Sequence, residues 1–286
     1  MRLDRFLASL EELGSRAEAE RLLSDRGAVT VDGERRPKSY RVQEGEEIAF
    51  EVPEREVVSE AAVEEAAPLL IPYEDEHLLV VDKPAGLVVH PGAGHAAGTL
   101  ADALVGHGAA GGEKGRLGIV HRLDRDTSGL LVVARSGEAF ERLQELVRER
   151  ALEREYLALV RGKPRSRSGR IEAPIGRDRR DATRQSLDTE TPRDAITHFE
   201  LEERLQRHAL LRVRLETGRM HQIRVHLAAI DLPVVGDLVY GVPEPALGRQ
   251  FLHAATLAFP HPLTGERIEA HSPLPADLSA FLNDLP

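Results

Sequence analysis

The stretch Gly118-Ile-Val-His-Arg-Leu-Asp-Arg-Asp-Thr-Ser-Gly-Leu-Leu-Val-Val-Ala-Arg135 joins two apolar runs through one dense polar loop. This pattern predicts a strand, a loop and a second strand. The loop concentrates charged and hydroxyl side chains, namely His121, Arg122, Asp124, Arg125, Asp126, Thr127 and Ser128. A sheet that holds both ends would fix these groups in place. Neighbouring guanidinium groups favour an ionised Asp124 or Asp126, and an ionised carboxylate can act as a nucleophile or a base.

Composition limits the alternatives. A chain of 286 residues with 41% hydrophobic content can bury a good core, which favours one large domain with a small appendage. It has no apolar run of membrane length and no signal-peptide core, so we expect a cytoplasmic protein. The absence of cysteine excludes disulfides, thiolate nucleophiles and zinc-thiolate sites. No spacing of histidines and carboxylates predicts a metal site, and we expect none.

The charge gives a mixed indication about nucleic acid. A net charge of -10 argues against a polyanionic partner. Yet only four of the 38 basic residues are lysines, which leaves 34 arginines. Arginine makes forked phosphate contacts and stacks on bases, although a GC-rich genome would produce the same bias.

Two further segments carry polar residues at ordered positions. Arg154-Glu-Tyr-Leu-Ala-Leu-Val-Arg-Gly162 predicts a strand on which Tyr156 shares one face with alternate apolar residues. Thr217-Gly-Arg-Met-His-Gln-Ile-Arg-Val-His-Leu-Ala228 predicts a sharp turn into a helix. His221 and Arg224 fall on one side of that helix, opposite an apolar side that anchors it.

These segments resemble a known family. His121-Arg-Leu-Asp-Arg-Asp-Thr-Ser-Gly-Leu-Leu131 is similar to the signature of the RluA-type pseudouridine synthases. The likeness continues in the same order over nearly the whole chain. It implies that Asp124 is the catalytic carboxylate, that Arg224 pairs with it, and that Tyr156 packs against the target uracil. It also implies an α+β catalytic domain with a mixed, largely antiparallel central sheet.

The resemblance suggests substrate contacts as well. Arg122 would fill the space left by a flipped nucleotide or hold its phosphate. The other expected contacts are His121, Arg219, His221 and Lys83. Lys83 precedes Pro84 in a Lys-Pro-Ala-Gly sequence, so a simple turn residue is an equal alternative.

The first 51 residues resemble the αL RNA-binding module of a small-subunit ribosomal protein. Their pattern predicts two short helices followed by strands at Val29–Val31 and Glu47–Phe50. The resemblance implies that Arg16, Arg21 and Arg26 face phosphates. Intervening acidic residues dilute that basic face. Residues 52–68 are predicted to be a linker, or a short helix capped by Ser59. Residues 69–286 are predicted to form the catalytic domain.

An arginine-rich segment between Gly162 and Asp194 is the best candidate for a basic patch, with Arg177 and Arg184 as expected RNA contacts. Aspartates and a glutamate alternate with its arginines, so a solvated, salt-bridged loop is the alternative. Gly106-His-Gly-Ala-Ala-Gly111 fits the letters of a dinucleotide motif but lacks the strand before it and the helix after it. We therefore predict a loop there.

The sequence and the resemblance together predict an RNA pseudouridine synthase that acts on large-subunit rRNA, with no cofactor, no metal and no membrane partner. We expect a monomer. A non-catalytic rRNA-binding assembly factor is the alternative, but Asp124, Tyr156 and Arg224 together argue against it. A glycosidase using Asp124 and Asp126 is a third possibility, which the absence of Trp for a sugar platform disfavours.

Overall fold

The computed structural model describes residues 2–7, 22–23, 29–50, 69–91, 97–112, 117–181 and 183–285. The chain divides into two compact units. One unit comprises Met1–Glu65 with Gly92–Ala96, and the other comprises Ala66–Pro91 with Ala97–Pro286. The predicted linker at 52–68, with the alternative helix at Ser59, lies outside the described residues, and so do Arg16, Arg21 and Arg26.

The first unit contains a short helix and a two-stranded sheet. Helix α1 spans Leu3–Leu7, and strands β1 (Val29–Val31) and β2 (Ile48–Phe50) pair antiparallel, close to the predicted positions. Leu22 and Leu23 are helical, which agrees with the second predicted helix over the part that is described. Apolar side chains form a small core: Leu3, Leu7, Leu22, Val29 and Val31.

The second unit is built on one nine-stranded sheet. Its strands are β3 (Leu70–Glu74), β4 (Leu78–Lys83), β5 (Ser128–Ala134), β6 (Glu153–Arg161), β7 (Ser168–Glu172), β10 (Ile196–Arg204), β11 (His208–Leu215), β12 (Leu252–Pro260) and β13 (Arg267–His271). The order across the sheet is β3-β4-β5-β12-β6-β11-β10-β7, with β13 beside β12. A separate small hairpin pairs β8 (Gly176–Arg177) with β9 (Gln185–Ser186).

Among the described strands of this sheet, β5 and β12 run parallel and the remaining neighbours run antiparallel. This confirms the predicted α+β fold with a mixed, largely antiparallel sheet. The helices are α2 (Leu100–Ala103), α3 (Gly137–Arg148), α4 (Gln222–Ala229) and α5 (Ala276–Asn283). A 3-10 turn at Leu104–His107 follows α2 and leads into the predicted glycine-containing loop.

Strand β5 is buried along its whole length, which explains its continuous apolar sequence after Gly129. Helix α3 packs beside it through Phe140 and Leu143. Ser136 caps that helix by accepting a hydrogen bond from the Ala139 amide at 3.1 Å, as the sequence predicts.

The prediction of a strand before the polar loop is wrong. Ile119 makes a single isolated bridge to Val133 instead of a ladder. The physical reason lies at the next position along β5, where the Val132 amide donates to the His121 side chain, Nε2, at 3.1 Å. An imidazole thus replaces the carbonyl that a neighbouring strand would supply.

One row of the sheet brings the site residues together. Gly129 on β5 lies opposite Ala254 on β12, which lies opposite Tyr156 on β6, which in turn lies opposite Val213 on β11. A Cβ at Gly129 would stand 2.3 Å from the Ala254 carbonyl oxygen, so the close approach of β5 and β12 requires glycine there. The polar loop therefore ends one strand away from the strand that carries Tyr156, with β12 between them.

Candidate active site

Asp124 and Arg224, which are 100 residues apart in sequence, form an ion pair. Arg224 Nη1 donates to Asp124 Oδ2 at 2.9 Å. The Asp124 side chain is 17% exposed and that of Arg224 is 6% exposed. The carboxylate therefore remains partly open to solvent while its partner is buried.

Arg224 has a second carboxylate partner, Asp237. Arg224 Nε and Nη2 donate to the two oxygens of Asp237 at 2.7 and 2.8 Å, and the Asp237 side chain is fully buried. Burial lowers the pKa of Arg224, but the hydrogen bond with Asp237 and the charge of Asp124 raise it more, so the net pKa lies above its ordinary value. Burial alone would raise the pKa of Asp237, and Arg224 reverses this to a net lowering. Both groups are therefore held ionised.

Asp237 was missed by the sequence reasoning, although the family likeness extends over nearly the whole chain. It also accepts hydrogen bonds from the amides of Val239 and Tyr240 at 2.8 and 3.1 Å. A carboxylate inside the apolar run Val234-Val-Gly-Asp-Leu-Val239 was the available signal, because a buried carboxylate requires a partner.

The turn before helix α4 fixes the direction of Arg224. Gln222 Oε1 accepts hydrogen bonds from the Thr217 hydroxyl at 2.8 Å and from the Arg219 amide at 2.9 Å. Its Nε2 donates to the Ile196 carbonyl on β10 at 3.0 Å. One buried amide therefore attaches the start of the helix to the sheet, which presents Arg224, in the first turn of the helix, to the polar loop.

His221 stands between Asp124 and Tyr240. It adopts a left-handed backbone conformation with φ of 58° immediately before α4. Its Nδ1 lies 2.8 Å from the Tyr240 hydroxyl, and its Nε2 lies 3.9 Å from Asp124 Oδ1. Burial is the main cause of a lowered His221 pKa, which Asp124 opposes and Arg224 reinforces. The ring is therefore neutral near pH 7.

Tyr156 forms an aromatic wall near Asp124. It is buried on β6 and shares its inward face with Ala158 and Val160, as the sequence predicts. Leu123 and Ile223 belong to the same cluster. Burial raises the pKa of the Tyr156 phenol, which Arg154 opposes and Asp124 reinforces. The phenol therefore stays protonated near neutral pH.

Lys83, predicted to be either a substrate contact or a turn residue, is bound by backbone carbonyls in the structure. Its side chain is fully buried, and Nζ donates to the carbonyls of Pro84, Leu87 and Arg125 at 2.7, 2.9 and 2.9 Å. An ammonium group has three hydrogens, and all three are used. Burial lowers the pKa of Lys83 to about 7, against the charges of Asp126 and Asp124. Lys83 therefore helps to hold the polar loop in place through the Arg125 carbonyl.

Two further loop supports were missed from sequence. Arg249 Nη1 donates to the Asp126 carbonyl at 3.2 Å and to the Ser128 hydroxyl at 3.3 Å. Gln250 Nε2 donates to the Thr127 hydroxyl at 3.2 Å. These contacts come from the residues just before β12, and no local pattern links them to a loop more than 120 positions earlier.

The remaining predicted residues divide into structural and exposed positions. The His121 ring accepts a hydrogen bond from the Val132 amide of β5. Burial, reinforced by the charge of Arg154, lowers the pKa of His121 to about 3. Its expected substrate contact is therefore replaced by a structural one. Arg122 is exposed, and Arg219 Nε donates to the Asp194 carbonyl at 3.0 Å. Of the expected RNA contacts in the arginine-rich segment, Arg177 and Arg184 are both exposed.

Within the described ranges, no group of three or more carboxylate and imidazole side chains is arranged to hold a metal ion. None of the helices in those ranges is both long and apolar enough to cross a membrane.

Comparisons with known proteins agree with this geometry. A model for RNA pseudouridylate synthase matches residues 77–229, and a model for the S4 domain matches residues 1–48. An RNA pseudouridine synthase of Bacillus subtilis (strain 168) is 43% identical, with 99% of this chain and 94% of the relative covered. The ribosomal large subunit pseudouridine synthase D of Pseudomonas aeruginosa is also 43% identical, with 99% and 91% covered.

A solved structure gives the same result for the fold. Human RNA pseudouridylate synthase domain containing 1 superposes with a TM-score of 0.60 at 29% identity, covering 72% of this chain and 83% of that one. The chain therefore belongs to the RNA pseudouridylate synthase family, as an RNA pseudouridine synthase with an S4 domain at its N-terminal end.

Proposed function

We propose that this enzyme converts specific uridines of large-subunit rRNA to pseudouridine, with Asp124 as the catalytic carboxylate. Several similar relatives, including those of Xanthomonas campestris and Nitrosomonas europaea, are named as ribosomal large subunit synthases. The S4 match supports an RNA substrate. The enzyme would act where that RNA is, in the cytoplasm.

The reaction is an isomerisation. The bond between uracil N1 and ribose C1′ breaks, the uracil rotates, and a bond between C5 and C1′ forms. The proton leaves C5, and N1 takes one up, so atoms and charge balance without a second substrate. The uridine must leave the helical stack to allow this rotation. Asp124 acts either as a nucleophile at the sugar or uracil, or as a base.

The position of Asp124 carries the proposal. Arg224 links two carboxylates, of which Asp237 is fully buried and Asp124 is 17% exposed. Only Oδ2 of Asp124 receives the guanidinium, and Oδ1 lies 3.9 Å from His221 Nε2. The partly exposed Asp124 therefore has one oxygen, Oδ1, that does not receive the guanidinium. We expect a flipped uridine to be held there, with Tyr156 against its ring.

The test is release of tritium from C5 of uridine in a large-subunit rRNA transcript. Asp124→Asn removes the reactive carboxylate while keeping its shape, so we expect it to abolish release and to leave RNA binding and folding intact. Residual activity within tenfold of wild type, a barrier change of only ~1.4 kcal/mol, would refute the assignment. Asp126→Asn is the matched control, because the Asp126 side chain pairs with its neighbour Arg125 on the surface.

The same assay separates the alternative of a non-catalytic assembly factor, which would bind the transcript without releasing tritium. We further propose that the enzyme acts as a monomer, since one chain supplies Asp124, Arg224 and Tyr156. Light scattering would contradict this if active enzyme had twice the mass of the chain.

A further inference from the structure

Tyr240 is the point at which three parts of the second unit meet. The guanidinium carbons of Arg224 and Arg184 lie 5.1 and 5.2 Å from the centre of its ring. The His221 ring meets it edge to face, with centroids 5.5 Å apart. Asp237 fixes the Tyr240 amide as well as Arg224. The backbone of Tyr240 is therefore held by the same aspartate that holds the Arg224 guanidinium.

The Tyr240 hydroxyl has two polar neighbours of different kinds. The Gln185 amide, on β9, donates to it at 2.7 Å. His221 Nδ1 lies 2.8 Å away. Because a backbone N–H can only donate, the oxygen is the acceptor in the first contact. Its own hydrogen can then be donated to His221 Nδ1, the other polar neighbour of the oxygen.

Donation from the Tyr240 hydroxyl would select one tautomer of His221. A neutral imidazole carries its hydrogen on one nitrogen, so an Nδ1 that accepts leaves the hydrogen on Nε2. Nε2 lies 3.9 Å from Asp124 Oδ1. That distance is too long for a hydrogen bond. An Nε2–H donor would therefore lie beside Asp124 Oδ1 without a hydrogen bond to it.

We propose that Tyr240 is a positioning residue that sets His221 as a hydrogen-bond donor to an oxygen of the target nucleotide, a uracil carbonyl or a ribose hydroxyl. This rests on the proposed function of the Asp124 site. Breaking the glycosidic bond shifts electron density to the uracil oxygens, and a preoriented donor stabilises developing negative charge. The groups that influence the His221 charge are Asp124, Arg224, Asp237 and Arg122.

The arginine-rich segment takes part in this arrangement. Arg184 Nη2 donates to the Val239 carbonyl at 3.0 Å and stacks on Tyr240, and the adjacent Gln185 supplies the amide donor. Both residues belong to the segment in which we predicted RNA contacts. The exposed hairpin that would meet the RNA is thus joined through one phenol to the ring beside Asp124.

The test uses Tyr240→Phe, which keeps the ring and its stacking but removes the hydroxyl. We expect nitrogen NMR shifts of His221, identified by loss of its signal in His221→Ala, to report an Nε2–H tautomer in wild type and a mixture in Tyr240→Phe. The single-turnover rate of tritium release should fall about 10-fold or more, with RNA affinity unchanged. Tyr73→Phe is the control, because it also loses a phenol hydrogen bond, to Asp75 at 2.7 Å, at a site outside the active-site machinery.

A second pair of variants tests the donor itself. His221→Gln keeps an N–H near the ε position, and His221→Ala removes it, so the Gln enzyme should retain at least 10-fold more activity. An Nδ1–H tautomer in wild type, unchanged shifts in Tyr240→Phe, or equal loss in the Gln and Ala variants would overturn the proposal. The NMR result is independent of turnover, so a failure of the proposed function would be recognised separately by wild-type protein that releases no tritium.

Discussion

Replacing Asp237 with alanine would test the charge arrangement behind the active site. The substitution removes both hydrogen bonds to Arg224 and the acceptor for two backbone amides. The guanidinium would keep only Asp124, which it contacts through a single N–H. A buried cation would thus lose its buried partner while its other partner remains partly solvated.

The size of the effect follows from burial. The Arg224 side chain is 6% exposed and that of Asp237 is 0% exposed, so water cannot replace the lost carboxylate cheaply. Breaking a buried pair by removing one partner costs about 3–5 kcal/mol. In a unit of this size, 1 kcal/mol corresponds to roughly 2–4 °C, so the midpoint of thermal unfolding should fall by roughly 6–20 °C.

Thermal unfolding followed by circular dichroism measures this directly, with Asp126→Ala as the matched control. Asp126 pairs with Arg125 at 2.9 Å, but the two side chains are 31% and 55% exposed. An exposed pair contributes only about 0–1 kcal/mol. If Asp237→Ala destabilised the protein no more than Asp126→Ala, the buried pair would not be a structural element, and the reasoning about Arg224 would be refuted.

Two other predictions concern acid and salt. Arg224 holds the pKa of Asp237 in the folded protein below its ordinary value, so the stabilisation from ionised Asp237 is present above the unfolded pKa of about 3.9 and is lost as pH falls through the folded pKa. The difference in unfolding free energy between wild type and Asp237→Asn should therefore be constant above about pH 5 and shrink in acid. Urea titrations that show a constant difference down to pH 2 would contradict this. Deleting residues 1–51 should weaken rRNA binding and flatten the slope of log affinity against log salt by about 0.7–0.9 per lost phosphate contact. Turnover at saturating RNA should stay near normal. Unchanged affinity in salt titrations would mean that the acidic residues prevent the module from contributing to RNA binding.

Local patterns predicted much of the structure because the decisive residues lie within one element each. The apolar run after Gly129 predicted β5, and alternation around Tyr156 predicted β6 and its inward face. The turn and helix at Thr217–Ala228 placed Arg224 correctly on α4. The pairing of Asp124 with Arg224 came from the family resemblance, since nothing local connects two residues 100 positions apart.

The errors arose where a side chain replaces backbone or is buried by distant chain. The His121 ring accepts a hydrogen bond from the Val132 amide of β5 in place of a strand carbonyl. The predicted strand before the loop is therefore reduced to one bridge at Ile119. Lys83 is buried, and its Nζ donates a hydrogen bond to the Arg125 carbonyl, 42 positions away in the sequence. Asp237 pairs with Arg224 across 13 positions and a change of direction after the helix. Each depends on tertiary contacts that periodicity does not contain.

The asymmetry between the two carboxylates explains how one guanidinium can serve structure and chemistry together. Two of the three hydrogen bonds of Arg224 go to Asp237, which is fully buried and stays ionised. The guanidinium is therefore placed and charged before substrate arrives, and its position does not depend on Asp124. In the proposed reaction Asp124 would form a bond or take up a proton, and the cation beside it would then lose one contact of three and keep its orientation. A guanidinium paired with Asp124 alone would lose its only anchor at that step, so the buried Asp237 would keep Arg224 in place while the proposed reaction proceeds at Asp124.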